Sequence, residues 1–280
     1  MLYRLQNTLY EEDFIMSKQN NRYTVITGAS SGIGAATAKA FAGRGHNLIL
    51  IARRTERLNA LKEEILAAHP ALDIVIKTAD LSSVENVTQV YDTIKALPIG
   101  TWINNAGFGS YGAVGTSNLD KIRQMLHLNI EALTVFSTLF VRDFAEIEDT
   151  QLINISSVGG YTIVPTAVTY CATKFYVSAF TEGLAHELTA RGAKLRAKLL
   201  APAATQTEFG AVANNNAAYD YDKAFGTYHT SRQMAEFLLA LYDSDQTIGI
   251  VDRETFAFRL CLPQFPYAGG SAHNQNVVDE

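Results

Sequence analysis

The sequence predicts an α/β protein whose single domain is a doubly wound parallel sheet. Short apolar runs alternate with helical stretches from residue 23 onward, and this alternation predicts βαβ crossovers that cover both faces of a parallel sheet. The predicted strands are residues 23–27, 47–52, 73–77, 101–104, 151–155, 194–200 and 248–251. The predicted helices are residues 34–44, 55–68, 83–96, 118–144 and 169–191. Sheets of this kind bind ligands beyond the carboxyl ends of their strands.

Composition narrows the function classes. The chain has 280 residues, of which 48% are hydrophobic and 18% charged, with a net charge of −5. This balance predicts a globular protein with a sizeable core. The longest apolar runs, residues 48–52 and 199–204, are too short to span a membrane, and no basic stripe is available for nucleic acid. We therefore expect a cytoplasmic protein without a membrane or nucleic-acid partner.

Two cysteines, Cys171 and Cys261, occur without a CxxC motif or a nearby histidine pair. This spacing predicts neither a disulfide framework nor a zinc site, and two reduced thiols are the expectation. No metal is expected in the site.

No linker or charge block divides the chain, so residues 21–280 are expected to form one domain. Residues 1–20 are expected to be a poorly ordered N-terminal extension, because Met16-Ser17-Lys18 resembles a second start. No signal peptide is expected, since Glu11, Glu12 and Asp13 stand where it would be apolar. Residues 207–228 are rich in alanine, asparagine and aromatic residues and lack clean periodicity. A long irregular insertion is either a functional lid or a disordered segment, and the aromatic residues favour a lid.

A glycine-rich turn follows the first predicted strand. Residues 27–34 read Thr-Gly-Ala-Ser-Ser-Gly-Ile-Gly and lead into a helix. Glycines allow a tight turn and a close approach of backbone N–H groups to a pyrophosphate, to which the helix N-terminus adds positive charge. The turn therefore predicts a dinucleotide site, and the alternative is a glycine-rich turn without a ligand.

The end of the second predicted strand indicates which dinucleotide binds. A carboxylate at this place would hold a ribose 2′-hydroxyl, whereas arginine accommodates a 2′-phosphate. The strand runs into Arg53 and Arg54 without an acidic residue. This pattern favours NADP(H) over NAD(H), and the alternative is an exposed basic loop.

Together with the glycine turn, four further motifs resemble the short-chain dehydrogenase/reductase family. They are Asn104-Asn105-Ala106-Gly107, Asn129, Ser157 and Tyr170-x-x-x-Lys174, and the match runs in order from about residue 23 to residue 207. The resemblance implies a Rossmann-type oxidoreductase that uses NAD(P)(H) on a carbonyl or a secondary alcohol.

Tyr170 and Lys174 are the expected acid/base pair. Tyr-x-x-x-Lys also occurs at Tyr91 and Tyr219, but Tyr170 alone opens a helix shortly after a predicted strand, which places it at the carboxyl edge of the sheet. A ketone that accepts hydride needs a proton, and free tyrosine titrates near pH 10. A lysine one turn away lies on the same helix face, so we expect its charge to lower the pKa of Tyr170.

The resemblance assigns roles to the neighbouring residues. It implies that Lys174 also holds the nicotinamide ribose, and that Asn129 orders a water in a proton relay. Ser156 and Ser157 could both polarise the substrate oxygen, and family spacing selects Ser157. From the residues alone, Asn129 could equally cap or kink a helix.

Further cofactor contacts follow from matching motifs. Asp80 and Leu81 resemble the adenine-binding pair, and Pro202-Ala203-Ala204-Thr205-Gln206-Thr207 resembles a nicotinamide-binding stretch in which Ala203 replaces the family glycine. The expected cofactor-binding residues are Gly28, Ser30, Ser31, Gly32, Ile33, Gly34, Arg53, Arg54, Asp80, Leu81, Asn105, Ala106, Gly107, Tyr170, Lys174, Pro202, Thr205 and Thr207.

The expected substrate is an uncharged, partly apolar carbonyl compound. Its pocket is predicted from lid aromatics and from Phe108, Tyr111, Val158, Tyr161 and Val164. The tail after residue 251 departs from the family pattern, and its aromatic residues either shape the pocket, make a subunit contact or simply pack.

Two other functions remain as alternatives. The first is a non-catalytic NADP(H) sensor on the same fold, which an intact Ser/Tyr/Lys set disfavours. The second is a methyltransferase, which would need an acidic residue where Arg53 stands. The apolar helices 118–144 and 169–191, which family members commonly pair, also predict a homodimer or homotetramer.

Overall fold

A central sheet of eight strands organises the computed structural model, which describes residues 22–274. Its order is β3-β2-β1-β4-β5-β6-β9-β10; the first seven strands run parallel, and β10 is antiparallel to β9. The strands are β1 Tyr23–Thr27, β2 Asn47–Ala52, β3 Ile74–Thr78, β4 Ile99–Asn104, β5 Gln151–Ile155, β6 Arg196–Ala201, β9 Ile248–Val251 and β10 Phe258–Cys261. Two short strands, β7 Thr205–Gln206 and β8 His229–Thr230, pair separately. The predicted doubly wound parallel sheet is confirmed.

The central strands are buried along their whole length because helices cover both faces of the sheet. Neighbouring residues of one strand enter different hydrophobic clusters: Val25 and Trp102 lie in one, and Ile26 and Ile103 in the other. Since successive side chains of a strand point to opposite faces, the core is two layers, one on each side. This explains why the strands read as continuous apolar runs rather than alternating ones.

The first six helices lie close to the five predicted helical stretches, and the last three were not predicted. The helices are α1 Gly32–Ala42, α2 Thr55–Ala68, α3 Val84–Asp92, α4 Leu119–Leu126, α5 Leu133–Phe144, α6 Val168–Ala190, α7 Phe209–Asn214, α8 Tyr221–Phe225 and α9 Ser231–Asp243. Among the described residues, no helix combines the length and apolar character needed to cross a membrane.

The helix predicted over residues 118–144 is interrupted. A π-helical turn, His127–Ala132, connects α4 to α5. Its Asn129 side chain bonds the backbone of Phe108 in the neighbouring loop. A π turn is rare and often marks a functional position.

The segment predicted as irregular contains two short helices. It holds α7, which ends at Asn215 in a left-handed conformation, and α8, whose first turn is capped by the Asp220 carboxylate. Asparagine tolerates this conformation, and aspartate is a preferred N-cap. The predicted N-terminal extension, residues 1–20, lies outside the described residues.

Candidate functional site

A cleft of about 840 Å³ opens at the carboxyl ends of the parallel strands. In the sheet, β1 lies between β2 and β4, so the direction in which strands are added reverses at β1. Ligands of such sheets bind where the strand order reverses. Most predicted cofactor-binding residues line this cleft: Gly28, Ser30, Ser31, Gly32, Ile33, Arg53, Arg54, Asp80, Leu81, Asn105, Ala106, Gly107, Tyr170, Lys174, Pro202, Thr205 and Thr207.

The glycine turn has the backbone geometry that only glycine adopts without strain. Gly28 and Gly32 have φ of +68° and +55°, in the left-handed region. A Cβ at Gly28 would also stand 2.9 Å from the Cα of Ala106. Gly34 does not line the cleft; a Cβ there would stand 2.5 Å from the carbonyl oxygen of Gly28, so this glycine permits the turn to pack on itself.

Thr27 holds the glycine turn against the end of β4. Its hydroxyl accepts hydrogen bonds of 3.0 Å from the backbone N–H groups of Asn105 and Ala106. The side chain of Ser31, the residue before α1, caps none of the first helical N–H groups. Because these groups face the cleft end of the sheet, they can bind a phosphate. The donor set therefore fits the pyrophosphate of a dinucleotide.

The two arginines after β2 differ. Arg53 is exposed. Partial burial acts to raise the pKa of Asp80, but hydrogen bonds from Ser82 and the charge of Arg53 outweigh it and lower that pKa. Arg54 folds back onto the glycine turn and donates to the hydroxyls of Ser30 and Ser31 at 2.8–3.1 Å. Both arginines border the cleft.

Sequence reasoning missed two charged residues beside these arginines. Glu208, at the start of the lid segment, binds Arg54 at 2.8 Å and also binds Arg57 of α2. Partial burial opposes the ionisation of Glu208, but hydrogen bonds from Arg57, Arg54 and Ser31 lower its pKa to about 2. No local pattern could reveal this contact, because the partners are more than 150 positions apart in the chain.

Ser157, Tyr170 and Lys174 come together on the opposite wall of the cleft. Ser157 follows β5, while Tyr170 and Lys174 occupy the first two turns of α6. The Lys174 Nζ lies 5.9 Å from the centre of the Tyr170 ring and donates to the carbonyl oxygen of Ile155 at 2.8 Å. The pair is buried, with 8% of Tyr170 and 6% of Lys174 exposed.

The two candidate serines have different environments. The Ser156 hydroxyl bonds the carbonyl oxygen of Lys174 at 3.0 Å and the hydroxyl of Ser178 at 2.8 Å, inside the contact between β5 and α6. Ser157 faces the tyrosine, and its oxygen accepts a bond from the backbone of Gly159 at 3.0 Å. Ser157 therefore remains the candidate for substrate contact.

The predicted direction of the Tyr170 pKa is wrong for this structure. Burial raises the pKa of Tyr170, with Tyr111 acting in the same direction and the Ser157 hydroxyl opposing it. Burial also lowers the pKa of Lys174 to about 8. The expectation considered the charge of the lysine alone, whereas removing both groups from water disfavours both charged forms. At neutral pH Tyr170 therefore carries its proton.

Asn129 lies beside Lys174, but its side chain is already hydrogen-bonded. Its Nδ2 donates to the carbonyl oxygen of Phe108 at 2.9 Å and to the hydroxyl of Thr173 at 3.1 Å, and its Oδ1 accepts from the backbone of Phe108. A Cβ at Gly107 would stand 3.0 Å from this oxygen and 3.6 Å from the Lys174 Nζ. These bonds hold the loop after β4, and the predicted relay role stays a prediction.

The stretch after β6 tolerates the alanine that replaces the family glycine. Ala203 does not adopt a positive φ, so its side chain causes no backbone strain. The Val158 N–H donates to the carbonyl oxygen of Pro202 at 2.9 Å, and a Cβ at Gly32 would stand 3.0 Å from Thr207. The stretch thus joins the two walls of the cleft.

Aromatic and apolar side chains surround Tyr170 on the lid side. The rings of Phe209 and Tyr111 lie 5.3 and 6.3 Å from its ring. Phe108, Val158 and Val164 line the same part of the cleft, as predicted.

Tyr161 does not line the cleft, contrary to the prediction. Its hydroxyl donates to the buried Glu182 at 2.5 Å, and its ring stacks on Phe265 of the tail at 5.3 Å. A further tail residue, Phe256, does border the cleft. The tail therefore both packs against α6 and contributes to the pocket.

Comparison with known proteins agrees with this geometry. The family model for short chain dehydrogenases matches residues 22–218. The dehydrogenase/reductase SDR family member 11 of Gallus gallus is 31% identical over 223 residues, which cover 78% of this chain and 86% of that protein.

Solved structures are similar as well. A short-chain dehydrogenase from Sphingobium yanoikuyae in complex with NADPH superimposes with a TM-score of 0.75 and 30% identity, covering 82% of this chain and 87% of that one. A bulky-bulky ketone specific alcohol dehydrogenase from Comamonas testosteroni has a TM-score of 0.72 and 29% identity over 82% and 86% of the two chains.

Proposed function

The chain belongs to the short-chain dehydrogenase/reductase family, and we propose that it transfers hydride between NADP(H) and a carbonyl or secondary alcohol. The observation that carries the proposal is the meeting of Ser157, Tyr170 and Lys174 on one wall of a cleft whose other end is the glycine turn. A sensor without chemistry would not need this set. Family membership already indicates an oxidoreductase with a nicotinamide cofactor.

Tyr170 acts as the general acid when a carbonyl is reduced. The phenol is protonated at neutral pH, so a proton is available for the oxygen that receives negative charge. Burial raises the pKa of Tyr170, and the nearby Lys174 cation acts against this by favouring the tyrosinate. The bound nicotinamide supplies the hydride in this direction and accepts it in the other. The Ser157 hydroxyl holds the same substrate oxygen and favours its developing charge.

Lys174 stabilises the tyrosinate form of Tyr170 and holds the cofactor. Its pKa of about 8 leaves it mostly charged at neutral pH, so a tyrosinate formed after proton transfer has a cation one helical turn away. One N–H of the ammonium is used by Ile155, and the other two can donate to ribose hydroxyls.

NADP(H) is proposed over NAD(H) because of the charge at the end of β2. Arg53 and Arg54 border the cleft there, and guanidinium groups bind a phosphate through two parallel hydrogen bonds. The NADPH complex of the Sphingobium yanoikuyae relative supports this choice.

The substrate is proposed to be an uncharged, partly apolar carbonyl compound. The pocket beside Tyr170 is lined by Phe108, Tyr111, Val158, Val164 and Phe209. Such a surface binds apolar groups through burial of their area. The bulky-ketone specificity in the name of the Comamonas testosteroni relative is consistent with this class.

Activity screening with NADPH and NADH tests the proposal. Wild-type chain is expected to oxidise NADPH with apolar ketones faster than NADH, and Tyr170→Phe is expected to keep NADPH binding while losing turnover. Full activity of Tyr170→Phe on a true substrate would contradict the mechanism. Binding of NADPH without turnover on any ketone or alcohol would favour the sensor.

A homodimer or homotetramer and a cytoplasmic location stay predictions. Apolar side chains of α4 and α6, such as Leu126, Val168 and Tyr176, are 37–49% exposed and are available for a subunit contact. Light scattering is expected to give two or four times the 30.6 kDa of one chain. A monomer would contradict the oligomer.

A further inference from the structure

Glu208 brings a negative charge to the end of the cleft where the arginines are. It is the residue immediately before α7 in the lid segment, and its two carboxylate oxygens bind separate guanidinium groups, those of Arg54 and Arg57. Arg54 precedes α2 and Arg57 lies in its first turn. The carboxylate therefore bridges two cations that belong to another part of the fold.

The arginines are arranged as an anion site. Arg54 is fixed by the hydroxyls of Ser30 and Ser31, so its Nη1 edge points to the carboxylate rather than to the glycine turn. The two guanidinium groups now share one carboxylate, each binding one of its oxygens. They could bind a phosphate monoester in the same way, and its larger negative charge would strengthen the attraction. The side chain of Glu208 is 44% exposed, so it can leave without opening the core.

We propose that Glu208 is a specificity-determining residue that occupies, between Arg54 and Arg57, the place of the cofactor's 2′-phosphate and competes with it. The inference rests on the proposed use of NADP(H). Binding of the phosphate releases Glu208 and with it the start of the lid segment. Binding of NAD(H), which lacks this phosphate, leaves the Glu208 contacts in place.

The competition has a selective consequence. Removing the carboxylate strengthens binding only of ligands that carry a 2′-phosphate, because only they use the vacated arginines. A residue that merely anchors the lid would change the binding of both cofactors alike. The ratio of the two affinities is therefore the informative measurement.

Adenosine 2′,5′-bisphosphate and adenosine 5′-monophosphate test this without any chemistry. Calorimetric titration of the full chain is expected to show that Glu208→Gln binds the bisphosphate roughly threefold to tenfold more tightly than wild type, the range expected for two partly exposed ion pairs. Binding of the monophosphate is expected to change by less than about twofold. NADPH and NADH, titrated by fluorescence, are expected to show the same contrast.

Two variants control for other effects. Glu208→Asp keeps the carboxylate and is expected to remain near the wild-type ratio. Glu236→Gln removes the same charge from an exposed ion pair with Arg232 on α9, and it is expected to change neither ligand. Thermal unfolding confirms that each variant is folded.

The outcomes separate the two proposals. If wild type prefers the bisphosphate but Glu208→Gln leaves that preference unchanged or weakens it, the proposal that Glu208 competes with the phosphate is wrong. The proposal that the chain uses NADP(H) is then still supported. If neither wild type nor Glu208→Gln prefers the bisphosphate, both proposals are wrong. If only Glu208→Gln prefers it, the competition stands and the wild-type preference for NADP(H) is wrong.

Discussion

Two buried lysines, Lys174 beside the cleft and Lys198 in β6, share the features by which functional lysines are often recognised. Lys174 is 6% exposed and Lys198 is 1% exposed. Burial lowers the pKa of each to about 8. Each donates its ammonium group to backbone carbonyl oxygens.

They differ in how many partners the ammonium has. Lys198 donates to three carbonyl oxygens at the end of α9, those of Leu241, Tyr242 and Ser244, at 2.5–2.9 Å. An ammonium has three N–H groups, so all are used, and the lysine closes the helix C-terminus. Lys174 donates to Ile155 alone among the described residues and faces the cleft. A perturbed pKa therefore identifies a functional lysine only where donors remain open to a cavity.

The largest expected effect comes from replacing the lysine that has open donors. Lys174→Met is expected to lower kcat/KM by about 10²-fold or more, since it removes the cation that supports proton transfer. Because one hydrogen bond to Ile155 is lost, the midpoint of thermal unfolding should change little. Steady-state kinetics at saturating NADPH with varied ketone concentration measure the effect. Near wild-type kinetics would place Lys174 with Lys198 as a structural lysine.

Lys198→Met should give the opposite pattern. It leaves three carbonyl oxygens at the end of α9 without their donor, and each buried group left unsatisfied costs about 1–3 kcal/mol, although some will regain water, so the expected loss of unfolding free energy is about 3 kcal/mol. Urea unfolding measures it. The kcat of the folded fraction should match wild type, and a loss of kcat at full folding would contradict the distinction.

The adjacent serines offer a smaller version of the same contrast. Ser157→Ala is expected to lower kcat/KM about 10²-fold, because the substrate oxygen loses a donor. Ser156→Ala should leave kcat/KM within a few-fold and lower the unfolding free energy by about 1–2 kcal/mol, because only the two buried structural hydrogen bonds to Lys174 and Ser178 are lost. Kinetics and urea unfolding of both variants test the pair. Equal kinetic defects would mean that the two environments do not separate the serines.

Local sequence patterns were sufficient for the sheet and for much of the site. The Tyr170–Lys174 spacing is a property of one helix, and the glycine turn belongs to one strand–helix junction, so both could be predicted without knowing the fold. The parallel direction of the strands followed from βαβ alternation, whereas the order of the strands in the sheet was not predicted. The antiparallel β10 was not predicted, because the tail carries no periodic pattern that distinguishes a strand.

Contacts between distant segments could not be predicted. Glu208 meets Arg54 and Arg57 across the cleft, and Tyr161 turns away from the cleft towards Glu182 and the tail. The pKa direction of Tyr170 also depended on burial, which only the packed structure reveals. From spacing alone, each side chain is treated as solvent-exposed and influenced only by its neighbours in sequence. In the fold, burial and partners that are distant in sequence set its pKa.

The smallest expected effect is a pH dependence of stability that the two lysines share. The pKa of each is lowered from 10.5 to about 8 in the folded chain, so above about pH 8 the unfolded chain binds more protons than the folded one. Between about pH 8 and 9 the two lysines should therefore make the unfolding free energy rise with pH, each by at most about 1.4 kcal/mol per pH unit. Above this window the tyrosines whose pKa the fold raises, among them Tyr23 and Tyr111, contribute with the opposite sign and reduce the slope. Below this window both lysines are charged in both states and the slope vanishes. Urea unfolding at several pH values in this window should give Lys198→Met a slope lower than that of wild type by up to about 1.4 kcal/mol per pH unit, the share that Lys198 contributes. Equal slopes in the two proteins would mean that Lys198, fully bonded to three carbonyl oxygens, keeps its proton on folding. In that case the bonded lysine would titrate normally, and only the lysine with open donors would be perturbed.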